Sequence, residues 1–158
     1  MERKMSDSPR ELSVTTLIDA TPEKVWQVMT ERMAEWWCPK PWTVTLDEID
    51  LRSGGRCAMT MHGPEGETMP TDGLFLEVVP GQRFVTTDAV VRGADGRLAA
   101  ADAFMIGGWE IAPEGDGTRF TGWARHWTDA AQKQHEDMGF TPGWGAVAEQ
   151  LKALCEAG

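Results

Sequence analysis

The sequence predicts a single α+β domain with a helix-grip fold, in which a seven-stranded curved antiparallel sheet wraps around a long C-terminal helix. Turn-forming clusters rich in Gly, Pro and Asp recur about every ten residues between positions 43 and 127, with alternating apolar and polar residues between them. That pattern is typical of antiparallel strands joined by hairpins. A single apolar stripe near the C-terminus predicts the helix that covers the apolar face of the sheet.

The N-terminal part predicts one strand followed by two short helices. A run rich in β-branched residues over Glu11–Asp19 predicts the opening strand. Thr21 as N-cap and Pro22 in the first turn predict a helix start, and a second short helix over about Glu31–Trp37 is expected to stop before Pro39. The six remaining strands are predicted at Thr43–Ile49, Arg56–His62, Thr68–Val79, Arg83–Val91, Leu98–Ile111 and Thr118–Trp127.

The C-terminal part predicts two helices. A charged segment over Asp129–Met138 is expected to end at Gly139, and Thr141 is expected to cap a final helix that has Pro142 in its first turn. About 15 helical residues span roughly 22 Å, enough to cross several strands. We therefore expect a hollow between this helix and the sheet. The apolar stripe consists of Trp144, Val147, Ala148, Leu151, Leu154 and Cys155.

A tryptophan-rich corner lies between the short helices and the second strand. Three of the eight tryptophans fall within the seven residues 36–42, beside two prolines that cannot continue a helix. Because so much indole surface should be buried, truncation of Trp37 to alanine is expected to cost roughly 3–5 kcal/mol. Arg52 and Arg56 flank a Gly-Gly turn, and one of them is expected to tie this corner to the sheet.

Composition and charge argue against several classes of protein. The 158 residues suit a disordered leader at 1–10 and one folded domain at 11–157. A net charge of −10 argues against nucleic-acid binding, and no apolar run reaches the ~20 residues of a membrane span. Three cysteines without metal-type spacing indicate a reducing compartment, so we expect a cytoplasmic monomer or homodimer without bound metal.

Five short motifs occur in order along residues 11 to 155. They are Trp36-Trp37-x-Pro39, Asp50-Leu51-Arg52-x-Gly54-Gly55-Arg56, Gly73-x-Phe75-x-Glu77-Val78-x-Pro80, Gly117-Thr118-Arg119 and Gly143-Trp144. In combination they resemble the activator-of-Hsp90-ATPase-homologue-like family of the START-like superfamily, also called SRPBCC or polyketide cyclase. The resemblance implies the helix-grip fold, on which lipid carriers, cyclases, hormone receptors and co-chaperone domains all occur. We expect no Hsp90-type chaperone partner, because the chain has no room for the other domain of the eukaryotic co-chaperone.

The candidate ligand site is the side of the sheet that should face the C-terminal helix. Cys57, Met59 and Met61 share one face of a strand, and methionines adapt to irregular apolar ligands. The full set of proposed ligand-binding residues is Trp37, Cys57, Met59, Met61, Phe104, Phe120, His126 and Trp144. The alternative is that these side chains only fill the core.

A hairpin at 113–117 would bring pairs of these residues together. Gly108 would lie near Gly122, leaving a gap for a ligand or for the bulk of Trp144, and Phe104 would lie near His126. Trp109 and Trp123 would then occupy the opposite face as an exposed aromatic patch, a possible partner surface.

His126 is the best candidate for a polar group inside the cavity, with His62 and His135 less favoured, and it is the weak candidate for a catalytic group. Asp102 and Arg125 are its expected partners. The sequence has no phosphate-binding loop, dinucleotide fingerprint or nucleophile elbow, so we expect no cofactor. The first hypothesis is a module that binds a small hydrophobic or amphipathic ligand. The alternatives are a cyclase/dehydratase-type or hydrolase-type enzyme in which His126 or a nearby carboxylate moves a proton in the same cavity, and a protein-interaction module like the Hsp90 activators.

Overall fold

The computed structural model describes residues 10–157, and residues 1–9 and 158 lie outside the description. The expected leader therefore falls outside it except for Arg10. The backbone carbonyl of Arg10 accepts a hydrogen bond from the backbone N–H of His126, at 3.1 Å. Arg10 is thus joined to the sheet.

The described residues form three α-helices, a short 3₁₀ helix and ten strands. The helices are α1 (Pro22–Glu31), α2 (Asp129–Asp137) and α3 (Phe140–Ala157), and the 3₁₀ helix spans Met33–Glu35. The strands are β1 (Glu11–Ile18), β2 (Thr43–Ile49), β3 (Cys57–His62), β4 (Thr68–Thr71), β5 (Leu74–Val79), β6 (Arg83–Thr87), β7 (Val90–Arg92), β8 (Leu98–Ala100), β9 (Met105–Glu114) and β10 (Gly117–His126).

The strands are antiparallel throughout and make a curved α+β structure consistent with the helix-grip fold. Five strands pair in the order β1-β10-β9-β6-β5, three in the order β2-β3-β4, and β7 pairs with β8. An isolated bridge between Arg56 and Leu74 joins the five-stranded and three-stranded sheets. The larger sheet supplies most of the surface on which the helices lie.

The predicted count of seven strands is not confirmed, because three of the predicted strands are each divided in two. Two aspartates show why. The carboxylate of Asp72 accepts the N–H of Gly73 at the break between β4 and β5. The carboxylate of Asp88 accepts the N–H groups of Phe104 and Met105, at 2.9 and 3.3 Å. These side chains replace ladder partners, so regular pairing stops beside them.

The starts of α1 at Pro22 and of α2 at Asp129 match the sequence-based prediction, whereas the start of α3 differs from it. Thr21 caps α1 by accepting the N–H of Lys24, as predicted. The prediction that Thr141 caps α3 is wrong, because α3 already begins at Phe140. Gly139 has a φ of +96°, a left-handed conformation that lets the chain turn directly from α2 into α3.

The long helix α3 lies mainly against β1, with further contacts to β10, α1 and α2. Three of its side chains bond to β1 or to the residue after it: Glu149 accepts from the Thr16 hydroxyl, Lys152 donates to the Leu17 carbonyl, and Glu156 accepts the Asp19 N–H. Its buried residues Val147, Ala148, Leu151 and Cys155 join the one hydrophobic core together with residues of α1 and of strands β3, β5, β6, β9 and β10.

The register of the β9–β10 hairpin decides which residues face this core. Glu114 pairs with Gly117 across a two-residue turn, so Trp109 lies opposite Gly122 and Gly108 lies opposite Trp123. The prediction that Gly108 neighbours Gly122 on one face is therefore wrong by one residue, and a one-residue shift exchanges the faces. Trp109 is buried in the core and does not form an outer patch.

Candidate functional site

Four aromatic side chains form a continuous surface between the sheet and α3, which we call the aromatic wall: Trp37, Phe84, Trp109 and Trp144. The Trp109 ring stacks on Trp37 at 4.7 Å between centroids, and on Phe84 and Trp144 at 5.3 Å each. Phe84 and Trp109 are buried, whereas Trp37 and Trp144 are half-buried. The wall therefore has a buried centre and two rings that reach towards solvent.

Trp144 occupies the space that Gly122 leaves on the sheet. A Cβ atom on Gly122 would stand 3.2 Å from Cε3 of Trp144, and one on Gly107 would stand 3.6 Å from its Cη2. The absence of side chains at both positions lets the indole approach the backbone of β9 and β10 closely. Of the two expected occupants of a gap at Gly122, a ligand or Trp144, the indole fills it in this structure.

A pair of buried histidines lies at the end of the wall. His126 on β10 and His135 on α2 are joined by a hydrogen bond of 2.9 Å between Nε2 and Nδ1. Nδ1 of His126 lies 2.8 Å from the carbonyl oxygen of Arg10. Since a carbonyl only accepts, Nδ1 of His126 carries the proton in that bond. Both ring nitrogens of His126 are thus engaged, and neither Asp102 nor Arg125, its expected partners, bonds to it.

Aromatic rings surround His135. The ring centroids of Phe104, Phe140 and Trp144 lie 4.9, 5.0 and 6.1 Å from its own. Burial, and to a smaller extent the neighbouring His126, lowers the pKa of His135 to about 4. His135 is consequently neutral at physiological pH and a weak base.

Phe104 lies against both histidines, with its ring centroid 5.6 Å from that of His126. The hydrogen bonds from its backbone and that of Met105 to Asp88 fix the start of β9. The expected proximity of Phe104 and His126 is confirmed, although Met105 is the direct register partner of His126. Phe104 therefore belongs to the same aromatic group as His135.

The methionine-bearing strand contributes less to this site. Cys57 and Met59 are buried in the core, and burial raises the pKa of the Cys57 thiol to about 12. Met61 is half-buried and pairs with Met69 on β4. Phe120 is fully buried beside Gly122. Of the eight proposed residues, the structure groups Trp37, Phe104, His126 and Trp144 around the aromatic wall and His135.

Gln150 on α3 ties the tryptophan corner to the helix. Its side-chain oxygen accepts the N–H of Lys40 at 3.0 Å, and its amide donates to the carbonyls of Trp36 and Cys38 at 3.3 and 2.9 Å. The expectation that an arginine ties this corner is not met. Arg56 pairs with Asp72 and Glu48, and Arg52 pairs with Asp50.

The residues missed from the sequence are Trp109 and Gln150, and the sequence favours His135 less than His126 as a polar group in the cavity. Trp109 was assigned to the wrong face by the register error. His135 lies in a charged helix, where the only signal was its position four residues after Ala131, on the side of α2 that is not fully exposed. The sequence does not indicate the role of Gln150, because hydrogen bonds between one amide side chain and three backbone groups of a distant loop have no sequence pattern.

Two shallow grooves lie outside this region, on the surface between the tryptophan corner and the second half of α3. Their volumes are about 240 and 310 Å³, and both are lined by Glu35, Lys40 and Leu154. Cys38 lines the smaller groove, and burial raises the pKa of its thiol. None of the eight proposed ligand-binding residues lines either groove.

Within residues 10–157, no helix is both long and apolar enough to cross a membrane. No three or more His, Cys, Asp or Glu side chains come close enough in that range to hold a metal ion.

Comparison with known proteins gives a consistent result. Residues 19–156 match the family model described as Activator of Hsp90 ATPase homolog 1-like protein. A solved protein from Nitrosomonas europaea is 35% identical with a TM-score of 0.85, over 96% of this chain and 97% of that chain. A Mycobacterium smegmatis protein is similar at 24% identity and TM-score 0.77, over 94% of this chain and 92% of its own. No curated protein matches the chain.

A protein from Silicibacter pomeroyi, described as AHSA1, is similar at 21% identity and TM-score 0.69, over 93% of this chain and 98% of its own. At this identity, and at that of the M. smegmatis protein, the likeness shows the fold alone. The family match spans most of the chain, and the N. europaea relative spans nearly all of it. The chain therefore belongs to the Activator of Hsp90 ATPase homolog 1-like family, within the START-like fold.

Proposed function

We propose that this protein binds a small hydrophobic or amphipathic molecule between the sheet and the N-terminal part of α3, in the space that the Trp144 ring occupies without ligand. The START-like fold is typically that of a ligand-binding domain. The observation that carries the proposal is the indole of Trp144 lying over Gly122 and Gly107. A flat apolar molecule that replaced this ring would gain the same stacking surface on Trp109.

The residues next to Trp144 in α3 lower the free-energy cost of moving its ring aside for a ligand. Gly143 and Gly145 flank it, and glycine in a helix costs about 0.5–1 kcal/mol relative to alanine. The two glycines therefore lower the stability of the turn around Trp144, which lies between the buried Phe140 and the buried residues from Val147 onwards. Movement of Trp144 would open a site with an apolar floor and a small number of polar groups, the usual character of a ligand pocket.

The alternative of an enzyme that uses His126 as a base receives less support. A general base must reach the proton that it removes, and both nitrogens of His126 are already hydrogen-bonded. A cytoplasmic location remains part of the proposal. All three cysteines are free thiols, which fits a reducing compartment.

Binding can be tested by titrating 2-naphthylmethanol, a flat two-ring probe, into the freshly purified protein and its variants, with native mass spectrometry to detect any co-purified molecule. We expect saturable 1:1 binding by the wild type. Gly122→Ala, whose new methyl group narrows the floor, should bind at least fivefold more weakly. Trp144→Ala should bind at least as tightly as the wild type, since no indole competes with the probe.

The outer face of the same hairpin supplies a matched control. Trp123 lies over Gly108 on that face, as Trp144 lies over Gly122 on the inner face. Trp123→Ala should leave probe affinity within twofold of the wild type. Absence of saturable binding to the wild type, or equal affinity of the wild type and Gly122→Ala, would overturn the proposal.

A further inference from the structure

The hydrogen bonds of the histidine pair determine which ring nitrogens donate and which accept at one end of the proposed site. His126 donates through Nδ1 to the Arg10 carbonyl, so in the neutral ring Nε2 is an acceptor. The hydrogen bond to His135 then needs a proton on Nδ1 of His135. This leaves a lone pair on Nε2 of His135, which accepts no hydrogen bond within residues 10–157 and is not fully enclosed by protein, so a ligand group can reach it.

Within residues 10–157, no cationic side chain bonds to the histidine pair or packs on its rings, so none is in place to neutralise a ligand anion. The rings closest to His135 belong to Phe104, Phe140 and Trp144. Arg125, the charged residue next to His126 in the sequence, pairs with Glu11 and lies over Trp123 on the outer face of the sheet. The backbone carbonyl of Arg10 accepts a hydrogen bond from Nδ1 of His126, while the Arg10 guanidinium donates to Asp129 and to the Trp127 carbonyl.

From this arrangement we infer the ligand class: an uncharged, flat apolar molecule that carries one hydrogen-bond donor, such as a hydroxyl group, which it gives to Nε2 of His135. The inference rests on the proposed function, because the ligand must first take the place of the Trp144 ring beside His135. A carboxylate is disfavoured there, since it can only accept and would face a second acceptor without a cation.

Three naphthalenes that share one ring system test this class at pH 8, well above the ordinary pKa of imidazole. They are 2-naphthylmethanol, which carries a hydroxyl donor, 2-ethylnaphthalene, which has the same shape without it, and 2-naphthoate. The alcohol should bind about tenfold more tightly than the ethyl compound, the ratio expected for one hydrogen bond of ordinary strength. The carboxylate should bind at least tenfold more weakly than the alcohol.

His135→Phe keeps a ring of similar size and removes the acceptor, so the alcohol and the ethyl compound should bind to it equally. Phe104→Leu, which changes a neighbouring ring and leaves the acceptor, should keep the preference for the alcohol. The wild-type comparison stands by itself if either variant fails to fold. In addition, the ¹⁵N spectrum of the ligand-free protein should show Nε2 of His135 unprotonated at pH 8.

The outcomes separate this inference from the proposed function. Equal affinities for the three probes, tighter binding of the carboxylate, a preference that persists in His135→Phe, or a protonated Nε2 would each overturn the inference while ligand binding stood. Failure of all three probes to bind would overturn both.

Discussion

Cε3 of Trp144 lies 3.2 Å from the point where a Cβ atom of Gly122 would stand, so the indole rests directly on the backbone of β10. The ring can lie there because Gly122 has no side chain. This relationship leads to the first prediction.

Gly122→Ala should destabilise the protein by about 1–2 kcal/mol, because the added methyl group overpacks the contact with Trp144, whereas Phe120 at 3.5 Å would be in ordinary contact with it. In the Trp144→Ala background the same change should cost less than about 0.5 kcal/mol, since the clash is gone. Urea unfolding of the four proteins measures the coupling. Additive effects would mean that the ring does not rest on Gly122.

Gly145→Ala is the control for that comparison. Gly145 lies within α3, and no heavy atom lies within 4 Å of the Cβ position there. Alanine should therefore raise the free energy of unfolding by about 0.5–1 kcal/mol through helix propensity alone. A loss of stability would show that the first turns of α3 pack more tightly than the structure indicates.

Truncation of Trp36 should mainly lower stability, whereas truncation of Trp37 should also weaken ligand binding. Trp36 is fully buried, so Trp36→Ala should cost about 3–5 kcal/mol. Trp37 is half-buried and stacks on Trp109, so Trp37→Ala should cost about 2 kcal/mol and weaken 2-naphthylmethanol binding more than its effect on stability suggests. The sequence-based estimate for Trp37 is larger because it treats this ring as core. Unfolding and binding titrations of both variants measure these effects. A greater loss of stability from Trp37→Ala than from Trp36→Ala would contradict the assignment of Trp36 to the core and of Trp37 to the binding site.

Gln150→Ala should lower stability by about 2–3 kcal/mol. The substitution leaves the Lys40 N–H and the carbonyls of Trp36 and Cys38 without their partner. Gln150→Glu keeps the acceptor for Lys40 and loses both donors, so it should be destabilising too. The neighbouring Glu149→Ala, which removes only an exposed bond to Thr16, should cost less than about 0.5 kcal/mol. Similar losses for Gln150→Ala and Glu149→Ala would mean that the amide does not hold the corner.

His135 should make stability fall on acidification. Its folded-state pKa is lowered to about 4 from the ordinary 6.5. Between these two values His135 is protonated in the unfolded chain and neutral in the folded chain. Stability from this group is full above about pH 6.5, falls as the pH drops towards 4, and then levels off. We expect a loss of roughly 2 kcal/mol, allowing for solvent screening.

Other groups titrate in the same range, so the measurement is a difference. Urea unfolding at pH 7.5 and pH 4.5 should show the wild type losing roughly 1–2 kcal/mol more than His135→Phe, in which the imidazole is absent. Equal losses in the two proteins would show that His135 is not held neutral by burial.

The sequence predicts most of the architecture because strand alternation, turn spacing and helix caps are local signals. The start of α1 at Thr21 and Pro22 is one example. The site is harder to predict, because it depends on a two-residue turn that sets one register. Counting one residue too many in the turn after Glu114 moves Trp109 from the core to the outer face. Likewise, His126 is recognisable as a polar group in an apolar strand, but its partner His135 comes from a helix whose docking leaves no local pattern.

The most direct test of the account is the indole N–H spectrum of the ¹⁵N-labelled protein, which has eight tryptophans distributed over all the surfaces discussed. On addition of 2-naphthylmethanol, the signals of Trp37, Trp109 and Trp144 should shift together and saturate. Those of Trp123 on the outer face and Trp42 beside the groove at the corner should stay in place. A shift of Trp42 or Trp123 with an unchanged Trp144 signal would contradict the claim that the ligand site lies under Trp144.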